Sequence, residues 1–263
     1  MDSRNDPEKR ARLRREDFFL NVLGVSSEGG LVTDELMPEP YWGDPEGCSI
    51  VVANHNPEGE TPPDESTGHG AATAAMIRHV SRVGYGAFAR AFPIADPLPD
   101  ELSWFAPYTG RGWWQGRENW ARRFPDLFPG ADDPAVHIFA FDVCPWHSRH
   151  WKTGSHNARI LSPDNRAAFL EAVAKPFEAA LTLSRGKFGL CVGNVYADLL
   201  AGAGFAALTG WGRFAGENNR HFQLFEKGAC RVLVAQGVQG QRAPAPHFDD
   251  HIRNLLNGKE DLV

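Results

Sequence analysis

Four polar stretches hold the side chains with which this chain could do chemistry. The first, Asn54-His55-Asn56-Pro57-Glu58-Gly59, sets amides, an imidazole and a carboxylate in one turn. The others are Asp142-Val143-Cys144-Pro145-Trp146-His147-Ser148, Gly193-Asn194 and Gln236-Gly237-Val238-Gln239-Gly240-Gln241-Arg242. Such groups hydrogen-bond the edge of a ligand or orient a water, and no cofactor is expected. Two other chemistries fit less well. His247 and His251, beside Asp249 and Asp250, would share a helix face, but no third ligand follows at a recognisable spacing, so no metal is expected. Cys144 with His147 suggests a thiol nucleophile, yet a Cys before Pro at a strand end without an activating partner reads as packing. No phosphate-cradling glycine loop or Walker-type lysine is present.

Each polar stretch ends an apolar run with the composition of a buried strand: residues 48–53, 135–141, 188–192 and 230–235. Helical sequence follows the first from residue 68, the third over 195–200 and the fourth over 246–257. After the second, Ser162-Pro163-Asp164 resembles a helix start, with helical apolar spacing over 166–182. Strands alternating with helices predict βαβ units, here a three-layer α/β/α fold around a central, mostly parallel four-stranded sheet. Ligands of such sheets bind at the carboxyl edge, so the four turns are expected to converge on one site, with Asn56 and its neighbours as an active-site loop.

The rest of the chain frames that unit. Residues 5–23 read as an N-terminal helix, charged at first and apolar from Phe18 on, and 24–47 as a connecting loop; together, 1–47 should pack on a domain spanning 48–257. Residues 88–134, rich in Pro, Gly and aromatics including Trp104, Trp113, Trp114 and Trp120, read as a long insertion with short helices, the tryptophans mostly packing a satellite core. A short charged tail covers 258–263. With 263 residues, 42% hydrophobic and 23% charged, the composition is that of a soluble globular chain. A net charge of −6 supplies no global positive field, so any nucleic-acid contact needs a local basic patch, best placed at 149–160 with Arg149, His150, Lys152, His156 and Arg159. The four cysteines have no metal-site spacing and are expected to be buried, reduced thiols in a cytoplasmic protein. No run reaches transmembrane length, and no membrane partner is expected.

Taken in order, the four strand–turn units resemble the uracil-DNA glycosylase superfamily from about residue 48 to 257. Asn54-His55-Asn56-Pro57-Glu58-Gly59 resembles that family's first motif, the turn that holds the catalytic water. Phe141-Asp142-Val143-Cys144-Pro145 is similar to the strand end that presents a base-reading Asn, and Val192-Gly193-Asn194-Val195-Tyr196 to the third strand end. Val234-Ala235-Gln236-Gly237-Val238-Gln239 occupies the place of the second motif, which contacts the leaving base and the DNA backbone.

What the resemblance implies is a monomeric, monofunctional DNA glycosylase. Asn56 and Gln236 would be its catalytic residues, the first orienting a water and the second supporting charge on the departing base. His55, Glu58, His69, Asn194 and Asp142 would bind the base, and Arg149, Lys152 and Arg242 the DNA backbone. The departures carry the specificity. Asp142 replaces the family's Asn, and an ionised carboxylate only accepts hydrogen bonds, which suits the exocyclic amino group of cytosine rather than uracil. Glu58 and Gly59 replace a ring that blocks the base C5 position, which favours a C5-modified cytosine, as in some phage genomes, and a role in antiviral defence. His69 stands where a stacking Phe is usual. The second motif lacks the family's prolines. Two further readings are a non-catalytic DNA or modified-base binding module on the same fold and a small-molecule α/β hydrolase.

Overall fold

The four central strands form where β-branched and apolar residues run unbroken, and they stop where polar residues and glycine take over. A computed structural model of the chain describes residues 8, 11–12, 16–25, 29–32, 41–46, 48–55, 78–80, 82–90, 111–126, 138–148, 151–214, 217–236 and 246–257. The strands are β1 (Tyr41–Trp42), β2 (Ile50–Asn54), β3 (Ile138–Asp142), β4 (Phe188–Val192), β5 (Ala206–Ala207), β6 (Gly212–Phe214), β7 (Glu217–Lys227) and β8 (Cys230–Gln236). The helices are α1 (Phe18–Leu23), α2 (Tyr85–Arg90), α3 (Arg111–Arg122), α4 (Thr153–Ile160), α5 (Pro163–Phe169), α6 (Lys175–Leu183), α7 (Val195–Gly202) and α8 (Asp249–Leu256). The expected helix from residue 68 begins outside the described residues, as does most of the 88–134 insertion.

The sheet order is β1-β3-β2-β4-β8-β7-β5, with β6 also beside β7. The four strands expected from the sequence are its centre, β3-β2-β4-β8, all parallel. The expectation of a mostly parallel four-stranded sheet needs correcting, because the sheet is mixed and has eight strands among the described residues. β1 pairs antiparallel with β3, and β7 pairs antiparallel with β8, β5 and β6. The largest addition is a hairpin. β7 turns into β8 through Gly228, whose φ of 60° at the first central position suits a two-residue type II′ turn.

Alternation along the strands divides the core in two. Val51, Ala53, Cys191, Val232 and Val234 face helices α1 and α4 to α7 through Leu23, Ile160, Phe169, Phe177 and Leu199. Ile50, Val52, Ile138, Leu190 and Leu233 face α3 and α8 through Trp120, Phe124, Ile252 and Leu255. The fold is α/β, with helices on both faces of the sheet. Trp120 is fully buried, as expected of a core tryptophan. Helix α5 runs into α6 through a π-helical turn, Leu170–Ala174, where Lys175 N–H reaches back to Leu170 O just before Pro176, which has no N–H to give. All four cysteines are buried and free, and burial pushes the Cys144 and Cys191 thiols well up and Cys48 to about 12. Cys144 is therefore a packing residue. Among the described residues, no helix is long and apolar enough to cross a membrane.

Helices α3 and α8 are tied across the second face. Arg123 Nε donates to Asp249 Oδ2 at 2.7 Å, and Arg253 Nη2 donates to Arg123 O at 2.9 Å. Asp249 is mostly buried, so its loss leaves Arg123 without that acceptor in a half-covered site. Asp249→Ala is expected to lower stability by about 1–3 kcal/mol, read as a lower urea midpoint with an unchanged slope.

Candidate functional site at the carboxyl edge

Four parallel strands deliver their carboxyl ends to one edge in the order Asp142, Asn54, Val192 and Gln236. The chain leaves β2 for β3 on one side and crosses back to β4 on the other. The switch point therefore lies between β2 and β4, where the crevice of an open α/β sheet takes its ligand. At a spacing of about 4.8 Å per strand, Gln236 stands roughly 10 Å across the sheet from Asn54 and farther still from Asp142.

Asn54 is the hub of that edge. Its backbone carbonyl accepts from Val143 N–H at 2.9 Å and from the Tyr196 hydroxyl of α7. Its side-chain oxygen accepts from Arg117 Nη2 of α3 at 3.3 Å. Cys144 N–H then bonds to His55 O at 3.0 Å, stitching the exit of β3 to the exit of β2. Asn54 and Asp142 are register partners on neighbouring parallel strands, so their side chains stand next to each other on one face. That is the face of Trp120 and Phe124, and Arg117 comes down onto it from α3 with 1% of its surface exposed. Burial pulls the guanidinium down to about 8, while the carboxylate of Asp142 works against that fall.

The other face of the same edge is aromatic. His55 stacks on Trp151, with ring centroids 4.9 Å apart and planes within 4°. Trp151 stacks in turn on His156 at 4.2 Å. Gly193 makes this possible, because a Cβ there would lie 1.8 Å from His55 Nε2 and the backbone has φ of 119°. His55 Nε2 makes no hydrogen bond among the described residues, and burial lowers the imidazole to about 4, with His156 adding to the effect. Burial also lowers His156. A polar relay runs beside the stack: Trp151 Nε1 donates to Asn157 Oδ1 at 2.9 Å, and Asn157 Nδ2 to Asn194 Oδ1 at 2.8 Å.

The sequence candidates fall into three groups. His55, Asp142 and Asn194 gather within neighbouring strand ends, with Lys152 preceding α4 on the stacked side. Gln236 shares the edge but follows the alternation of Val232 and Val234, which puts it on the stacked face, opposite Asp142. Asn56, Glu58, His69, Arg149 and Arg242 lie outside the described residues. Arg117 is the residue that sequence reasoning passes over. Its signal is positional: Trp120, Ala121 and Phe124 follow it by three, four and seven residues, so an arginine occupies an apolar place on an amphipathic helix. Among the described residues no cluster of His, Cys, Asp and Glu could hold a metal ion.

Comparison of the chain with protein-family models, with curated proteins and with solved structures finds no match.

Two outcomes check this geometry. Gly193→Ala forces both a clash with His55 and a left-handed backbone on a residue with a side chain, so it should cost roughly 2 kcal/mol or more, measured by thermal or urea unfolding. His55 is lowered in the folded protein, so the unfolded chain binds more protons between about pH 4 and the ordinary value of 6.5. Stability should therefore fall as pH drops through that window, and His55→Phe should flatten that part of the pH–stability curve.

Proposed function

We propose that the protein is a monofunctional DNA glycosylase similar to the uracil-DNA glycosylase superfamily. It would take a cytosine-type base, including one substituted at C5, out of the DNA stack and hydrolyse its N-glycosidic bond. The observation that carries this reading is the pairing of Asp142 with Asn54. It sets a carboxylate beside the strand from which Asn56 departs, at the edge where α/β folds bind ligands.

The chemistry follows from those two side chains. A flipped base exposes its Watson–Crick edge, and a carboxylate accepts from the N4 amino group of cytosine while repelling the O4 of uracil. Asn56 is a weak base, and its part is to hold a water close to the sugar C1′ as the bond to the base opens, so that positioning carries the step. The Gln236 amide supports charge on the departing base, and an abasic site remains. None of the four turns contains a lysine, which favours direct hydrolysis over a Schiff-base lyase route. Lys152, Arg149 and Arg242 are the proposed phosphate contacts, and binding should weaken with salt. This enzyme would act as a cytoplasmic monomer, with a place in antiviral defence if the base is a modified phage cytosine.

One observation favours a second reading, a binding module that recognises the base without releasing it. Gln236 follows the alternation of the opposite face from Asp142, which weakens its claim to the leaving group.

The two readings separate in one assay. Purified protein is incubated with single- and double-stranded oligonucleotides carrying cytosine, a C5-substituted cytosine or uracil, and alkali-labile sites are counted. Base release from the cytosine-type strands is expected, with Asn56→Ala reducing it about 100-fold or more. Asp142→Asn should move preference toward uracil by about 10- to 100-fold. Binding without any alkali-labile site would make the module reading correct.

A further inference from the structure

Arg117 is unusual among the charged residues of this chain. It is 1% exposed, it lies on the inward stripe of α3, and its Nη2 donates to the neutral side-chain oxygen of Asn54 at 3.3 Å. A buried guanidinium of this kind is stable only beside a compensating charge. The neighbour of Asn54 across the β2–β3 register is Asp142, on the same face. Fixing Arg117 through Asn54 therefore fixes a positive charge next to the carboxylate at the strand end.

We propose that Arg117 is the positioning residue of the base-reading edge: held by Asn54, it keeps Asp142 ionised and turned as a pure acceptor, and so sets the choice of base. This rests on the glycosylase reading and adds to it a determinant that lies outside the four turns. Without the guanidinium, Asp142 would share a buried edge with apolar residues and take up a proton more readily. A protonated carboxyl donates as well as accepts, and can satisfy the O4 of uracil. The selectivity of the site then becomes a function of pH. Among the described residues, Arg117 of α3, Tyr196 of α7 and Cys144 in the turn after β3 all feel the charge of Asp142. Burial raises the tyrosine and the thiol and keeps both neutral, so that of these three Arg117 is the one that carries the opposite charge.

The experiment compares wild type, Arg117→Lys and Arg117→Met between pH 5.5 and 8, reading the ratio of release from C5-substituted cytosine to release from uracil. In parallel, the Asp142 side-chain carbon is titrated by NMR. Wild type and Arg117→Lys should hold a constant ratio. Arg117→Met should lose it at least 10-fold toward the acid end, with the Asp142 titration midpoint about one pH unit higher or more. A folded Arg117→Met with the wild-type ratio, pH profile and midpoint would overturn the proposal. If no strand loses a base from any variant but the midpoint still moves, the charge coupling stands and the glycosylase reading alone has failed. If Arg117→Met does not fold, Arg117→Met/Asp142→Asn decides: removing both charges should restore folding, whereas two losses that simply add would refute the pairing.

Discussion

The carbonyl and side chain of Asn54 form the junction on which this edge depends. Val143 N–H and the Tyr196 hydroxyl both donate to its backbone oxygen, and Arg117 donates to its side chain. Three elements, the turn after β3, helix α7 and helix α3, are therefore located by one residue at the last position of β2. A backbone carbonyl at a strand end has no further ladder partner and must find donors elsewhere when buried. Here those donors come from the pieces that surround the crevice. An amide is well suited to the place, since its oxygen can accept from a cation without adding a second negative charge next to Asp142.

The edge has two unlike faces, and the division follows from the period of two along each strand. One face carries charge: Arg117 and Asp142, with Asn54 between them. The other carries flat rings, His55 and Trp151, with His156 behind them. Burial, with His156 beside it, favours the neutral form of His55 on that face. The rings are stacked on one another, while the hydrogen-bonding groups Arg117, Asn54 and Asp142 stand together on the opposite face.

How much of this is legible in the sequence depends on whether the signal is local. The four central strands are legible because unbroken Val, Ile, Leu and Cys runs have few other places to go than a doubly covered sheet. The convergence of their turns follows from the same composition. β7 is not legible in that way, because Glu217, Asn218, Asn219, Arg220 and His221 open it before Phe222, Leu224 and Phe225, which reach the core. It is a strand because β8 offers it an edge, which is a tertiary reason. Arg117 is hidden by its chemistry: an arginine on a helix reads as solvated unless the apolar stripe around it is counted. The glycine at 193 reads as a turn former, while the ring of His55 in the space it leaves is a contact between residues far apart in the chain.

The strand order also has a consequence for how the molecule comes into being. β7, β8 and β4 meet through contacts that are close in sequence, at least for the hairpin, whereas β2 belongs to the early chain and is flanked on both sides by strands made much later. Local pairings form first, because closing a long loop is slow. β2 pairs with β3 on one side and β4 on the other, and both pairings are long-range in sequence. A sheet lacking β2 would expose two apolar edges in its middle, the surfaces most open to pairing with another chain. The strand that closes the sheet also carries Asn54, so the junction at the carboxyl edge is made only when the sheet is whole.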